Sequence, residues 1–265
     1  MMLTAIFDDI TVEMVIIRLR NYIATWSVSM FGNNGPSFAE LIRQALASTR
    51  DGYDLLAPKF DLTPFRTPDE LLIPAVRVAG EVDSALDICC GTGAAMAALA
   101  PHVRTRLCGI DFSEGMLEQA RFNLLEVSTT AGVEYIRQDV MEMRFENEFD
   151  LAACFGALGH ILPADENLFL RRIHRALKPG GYFIFITGTK PSPMDLRAAV
   201  LRAFNLIMRI RNLLRKPEFI MYYLTFALPE IESKLRAEGF DCTVYESMFE
   251  APYQRARLVV ARRVN

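Results

Sequence analysis

The chain has 265 residues, 51% of them hydrophobic, enough to bury one large core with a smaller cap beside it. A formal net charge of −3 argues against a protein that tracks a phosphate backbone, so nucleic acid is not an expected partner. The five cysteines are odd in number and form no CxxC pair, which excludes the usual signatures of a disulfide framework or a zinc site. No metal is expected, and a reducing cytoplasm is the expected location.

The first residues, MMLTAIFDDITVEM, carry acids where a secretory leader would carry positive charge. Apolar residues over 10–23 recur at helical spacing around Arg18 and Arg20, which predicts a helix. FGNNGP (31–36) breaks it, and a second helix is expected over 37–47. Further on, TPDE (67–70) predicts another helix start, with Thr67 as cap, Pro68 in the first turn and Glu70 closing a capping box. Residues 1–80 thus form an expected helical cap, followed over 81–265 by a second unit of different pattern.

From 84 to 187 short apolar strands alternate with helices. SALDICC, RLCGID, VEYIRQ, DLAACFG and GYFIFIT are the five strands, and helices are expected after the first (GAAMAALA), over 113–127 and over 165–177. Strands apolar along their whole length are covered on both faces, so an α/β fold with a doubly wound, mostly parallel sheet is predicted. A helix ending near Gly239 and two further strand-like runs, CTVYESMF and RARLVVARRV, predict an antiparallel hairpin at the sheet's edge.

The segment 190–226 is long for a connection and reads as an insertion. Leu196, Val200, Ala203, Ile207, Ile210 and Leu214 follow helical spacing, and Arg197, Arg202, Arg209, Arg211 and Arg215 fall between them. A basic amphipathic helix is expected, with three readings open: a packed stripe under a solvated face, a membrane-surface contact through 194–216, or attraction of an anionic or lipid-like substrate. No run reaches the roughly 18 apolar residues of a spanning helix; FIMYYLTFAL (219–228) is about half of one.

ALDICCGTGAAMAALA (85–100) carries the functional signal. A glycine-rich turn after a first strand lets backbone approach a ligand, at the edge of an open sheet where ligands bind. A dinucleotide fingerprint is GxGxxG, but here Met96 stands where its third glycine would be, against a nicotinamide-dependent oxidoreductase. The stretch resembles motif I of the class I S-adenosylmethionine-dependent methyltransferases, (D/E)xGxGxG, with Asp87, Gly91 and Gly93 matching and Cys89 in place of the first glycine. GIDFSEGMLEQA, RQDVMEM, FDLAACFGALGHI and LKPGGYFIF resemble the family's later segments in order, and the likeness runs over about 53–265.

The resemblance implies a seven-stranded Rossmann-like sheet and S-adenosylmethionine as cofactor, with S-adenosylhomocysteine as product. Asp87 would organise the loop near the cofactor's amino group, Asp111 would accept the ribose hydroxyls, and Phe112 and Met116 would flank adenine. Asp139 and the Val140 N–H would meet the adenine edge. Tyr53 and Phe155 would also touch the cofactor, Tyr53 as in similar YD-containing enzymes.

His160, after the fourth strand, is the candidate base, against a reading as cap or wall. Tyr222 and Tyr223 are candidate substrate residues, against packing of the cap. Cys89 and Cys90 read as inert buried thiols, and His102 and His174 as ordinary helix residues. The acceptor is expected to be a small, hydrophobic molecule. Enzymes acting on nucleobase or glutamine amino groups often carry Asn/Asp-Pro-Pro-Tyr/Phe after the fourth strand, where this chain has CFGALG. The competing class is a non-catalytic scaffold that keeps the cofactor site.

Overall fold

A computed structural model describes residues 32, 34–192, 194 and 196–264. The helix expected over 10–23 lies outside the described residues. The sheet holds β1 (Val82–Ile88), β2 (Val103–Asp111), β3 (Gly132–Arg137), β4 (Phe149–Cys154), β5 (Leu177–Thr187), β6 (Phe240–Tyr245) and β7 (Arg257–Arg263), in the order β3-β2-β1-β4-β5-β7-β6. The first five are parallel. β7 runs antiparallel to both β5 and β6, the edge hairpin that the tail predicts.

Helices α1 (Phe38–Leu46), α2 (Thr49–Leu56) and α3 (Asp69–Ala79) precede the sheet. They are followed by α4 (Ala94–Leu99), α5 (Glu114–Asn123), α6 (Glu166–Ala176), α7 (Leu196–Leu214) and α8 (Glu230–Ala237). The central strands β1 and β4 read mainly apolar because both faces are covered. On one, Leu71, Met96, Leu99 and Leu117 pack on Ala85, Leu107 and Leu151. On the other, Phe169, Ile173, Ile231 and Leu235 pack on Leu86, Ile88, Phe183 and Phe185. Burying one such side chain contributes about 1.5–3 kcal/mol, so the central strands are the most strongly held part of the chain.

Two local expectations change. The TPDE stretch has no capping box: Pro68 itself is the N-cap, with an extended ψ of 152° and no side-chain cap bond. Thr67 is drawn to the cavity wall instead, where its Oγ1 would lie 2.8 Å from a Cβ on Gly156. The box is found earlier, at α1, where Ser37 Oγ accepts from the Glu40 N–H and Glu40 accepts from the Ser37 N–H.

The second change concerns α7. The helix forms, but Ile207, Ile210 and Leu214 of the stripe that the sequence offers for packing face outward. Its inner side is Ala198, Leu201, Asn205 and Asn212. Asn205 Nδ2 donates to the Tyr223 carbonyl at 2.8 Å, and its Oδ1 accepts from the Tyr223 N–H at 2.8 Å. Asn212 makes the same pair of bonds with Phe219, at 3.0 and 2.9 Å. Satisfied backbone groups, rather than apolar burial, thus decide which face turns in.

Candidate functional site

The loops after β1, β2, β3 and β4 meet at the carboxyl edge of the parallel strands, between β1 and β4, where the chain's path across the sheet reverses. The loop after β1 turns sharply, with positive φ at Cys89 (55°), Gly91 (54°) and Gly93 (82°). An L-residue in that region costs roughly 1–2 kcal/mol, which is why a glycine usually stands where Cys89 does. The loop keeps its shape, and Cys89 lines the cavity.

That cavity opens to solvent and is lined mainly by apolar surface, with a few polar groups converging on it, as ligand sites are. It brings together nine of the residues singled out in the sequence: Tyr53, Asp87, Cys89, Gly91, Asp111, Phe112, Met116, Phe155 and His160. Asp139 and Val140 line an adjoining cavity that shares Cys89, Phe112 and His160 with the first. Tyr222 and Tyr223 line a third, which shares Phe155 and His160. Gly93 reaches none of the three. A Cβ there would lie 2.8 Å from Leu124 Cδ1 and 3.1 Å from Ala120 Cβ, so Gly93 serves the close packing of its loop on α5.

Two acids dominate the electrostatics. Asp111 accepts the Gly91 N–H on Oδ2 and the Ser113 N–H on Oδ1, both at 2.9 Å. That leaves about half of a carboxylate's four lone-pair sites for a ligand. Burial nevertheless pushes its carboxyl up to about 6, against the pull of those N–H groups. Burial, and then the charge of Asp111, also holds Asp87 well above the ordinary carboxylate range. Asp87 Oδ2 is buried without a hydrogen-bond partner. A cavity with an orphaned acceptor and two mutually opposed acids favours a ligand that brings donors and positive charge.

His160 sits between two partners. Its Nδ1 bonds to the carbonyl of Ile220, which can only accept, so Nδ1 carries the proton. Nε2 is then the acceptor, and the Tyr53 hydroxyl donates to it at 2.7 Å. Burial lowers the His160 pKa below its ordinary 6.5 and raises that of the Tyr53 phenol. Both groups are therefore neutral at pH 7. A hydrogen bond with Cys154 and burial raise the Cys89 thiol, and burial raises Cys90, so both favour the protonated thiol over the nucleophilic thiolate.

Residues that the sequence reading passed over hold this site in shape. Asp54, beside Tyr53, accepts the Gly115 N–H at 2.9 Å and the Ser113 hydroxyl at 2.6 Å, tying α2 to the start of α5. Asp61 accepts the Thr92 hydroxyl and the Asn123 amide, tying the turn after α2 to the glycine loop. The Tyr-Asp pair was the available signal for Asp54; nothing in the sequence marked Asp61.

Strand order and site together are those of a Rossmann-like methyltransferase domain, the fold that the class I, S-adenosylmethionine-dependent enzymes share. Residues 85–181 match the family model described as a methyltransferase domain. The chain is 33% identical over 129 residues to demethylmenaquinone methyltransferase from Staphylococcus aureus, a match covering 48% of this chain and 52% of that protein. The chain thus spans about half the length of the relatives it matches. Among solved structures it is similar to 1,6-didemethyltoxoflavin-N1-methyltransferase from Burkholderia thailandensis, with bound 1,6-didemethyltoxoflavin and S-adenosylhomocysteine. Identity there is 21% and the TM-score 0.52, over 74% of this chain and 80% of that one. The N-methyltransferase NodS from Bradyrhizobium japonicum is similar at 17% identity and TM-score 0.52, over 73% of this chain and 93% of that one.

Proposed function

We propose that this chain transfers the methyl group of S-adenosylmethionine to a small, apolar acceptor. The observation that carries the cofactor reading is the pair of buried acids, Asp87 and Asp111, facing one cavity, with an oxygen of Asp87 unpartnered. They suit the ammonium, hydroxyl and sulfonium groups of that molecule and would repel the pyrophosphate of a dinucleotide. Asp111 would hold the ribose hydroxyls, Asp87 the amino group, and Phe112 and Met116 the adenine faces.

Bound S-adenosylmethionine supplies an already activated methyl group. What remains for the chain is to orient the acceptor, exclude water and take any proton the acceptor must lose. Phe155 and His160, shared by the first and third cavities, stand between the cofactor and acceptor spaces, with Tyr222 and Tyr223 on the acceptor side. An acceptor proton passes to Tyr53 Oη as the Tyr53 hydroxyl proton moves to His160 Nε2. The Ile220 carbonyl, bonded to Nδ1–H, steadies the imidazolium that results.

Resemblance to a demethylmenaquinone methyltransferase over half of its length supports an apolar, ring-containing acceptor. The test is calorimetric titration with S-adenosylmethionine and S-adenosylhomocysteine, with NAD as control, followed by an acceptor screen. Micromolar binding of both sulfur ligands and none of NAD is expected. Failure of either sulfur ligand to bind sinks the cofactor assignment; binding without turnover on any acceptor favours a scaffold.

A further inference from the structure

The outer face of α7 is apolar where a surface helix is ordinarily polar. Ile207 is 62% exposed, Leu206 57%, Leu213 82% and Leu214 79%, and Ile210 stands beside them at 47%. At 3.6 residues per turn Ala203, Ile207, Ile210 and Leu214 follow one line along the helix. Arg202 and Arg209 fall on one flank of that line, Arg211 and Arg215 on the other. Scattered exposed hydrophobes need no explanation, but a continuous stripe does.

Charge decides what fits. The helix LRAAVLRAFNLIMRIRNLL contains four arginines and no acid, within a chain of net charge −3. An apolar stripe edged by arginines on both sides is the pattern of a helix that lies in the headgroup plane of a bilayer. Among the described residues no helix is long and apolar enough to cross a membrane, so the contact is at the surface. Arg211 and Arg215 serve a second purpose: they donate to the carbonyls of Ala45, Leu46 and Ala47, which orients α7 rigidly against the end of α1.

We propose that α7 docks this protein on an anionic lipid bilayer through Leu206, Ile207, Ile210, Leu213 and Leu214, with Arg209 among the lipid headgroups. The inner face of the same helix holds the loop that carries Tyr222 and Tyr223, through Asn205 and Asn212. Docking therefore sets the third cavity one helix thickness from the membrane. An acceptor drawn from the lipid phase follows from this, and that corollary alone rests on the reaction proposed above.

The test is co-sedimentation of the full chain with vesicles of phosphatidylcholine, or of phosphatidylcholine and phosphatidylglycerol in equal parts. The wild type should pellet with the mixed vesicles and stay in solution with the neutral ones. Ile207→Glu/Ile210→Glu should abolish pelleting. Arg209→Gln should weaken it about fivefold, as expected for one cation near an anionic surface. Circular dichroism and S-adenosylhomocysteine titration of each variant show that it is folded, and they separate failure of the docking from failure of the cofactor reading. Wild type left in solution with both vesicles overturns the proposal, as does equal binding to both. A dimer in sedimentation that the double variant splits also overturns it, because the stripe is then covered by a second copy.

Discussion

Asp111 is held by the backbone it also organises. Its carboxyl is raised from 3.8 to about 6 by burial, so folding alone favours its protonated form. Stability from this group is largest below pH 4 and is lost as pH rises through 6. Ligand hydroxyls have the opposite preference, since they donate to the ionised form. The affinity for S-adenosylhomocysteine should therefore be flat above pH 6 and weaken by about tenfold per unit below it. Asp111→Asn should remove that limb and cost about 2 kcal/mol of binding at pH 7. Calorimetry across pH 5–8 reads both; unchanged affinity would move the ribose elsewhere.

Tyr53 and His160 share one hydrogen bond, and if they act as the single relay proposed above their losses should not add. Tyr53→Phe and His160→Gln should each lower kcat by roughly 10²-fold or more, and the double variant by no more than the worse single one. In the wild type kcat should fall on acidification only below pH 6.5, because burial lowers His160. His160 was legible from its place after the fourth strand, and Asp87, Cys89, Gly91 and Asp111 from one sixteen-residue stretch and the strand after it. The bond between Tyr53 and His160 was not, because it joins residues far apart in the chain and depends on α2 folding over the sheet.

At the scale of elements, the central strands were legible because burial on both faces leaves a composition that few other structures share. Their ends shifted by a residue or more: β2 begins at Val103 rather than Arg106, and β5 at Leu177 rather than Gly181. The helical period of α7 was legible too, but not its facing. Hydropathy marks the apolar side as inward, whereas Asn205 and Asn212, two turns apart, bond the backbone of the following loop. Asn212→Ala should leave the buried Phe219 N–H and carbonyl without those partners, at a cost of about 1–3 kcal/mol. Chemical denaturation measures it, and Asn205→Ala should act in the same direction. An unaltered midpoint for Asn212→Ala would show that packing, not these bonds, orients the helix.

For the molecule as a whole, the cofactor space is closed only when the N-terminal helices meet the sheet. Two carboxylates make that joint. Asp54 reaches the first turn of α5, where backbone N–H groups and the helix dipole favour an anion, and Asp61 reaches Thr92 in the glycine loop. Neither lines the cavity, yet both fix loops that do. Asp54→Ala should therefore weaken S-adenosylhomocysteine binding with every direct contact intact, by about 1–3 kcal/mol for the lost charge-assisted bonds. Thermal unfolding supplies an independent reading. A ligand at a hundred times its Kd adds about 2.7 kcal/mol to the folded state. For a chain of this size that is a rise in Tm of roughly 5–10 °C. At the same ligand concentration the Asp54→Ala protein should show a smaller rise, because its Kd is larger, and a lower Tm without ligand. If the ligand-free Tm fell while the rise with ligand stayed whole, Asp54 would serve the fold alone, and the N-terminal helices would cover the site without shaping it.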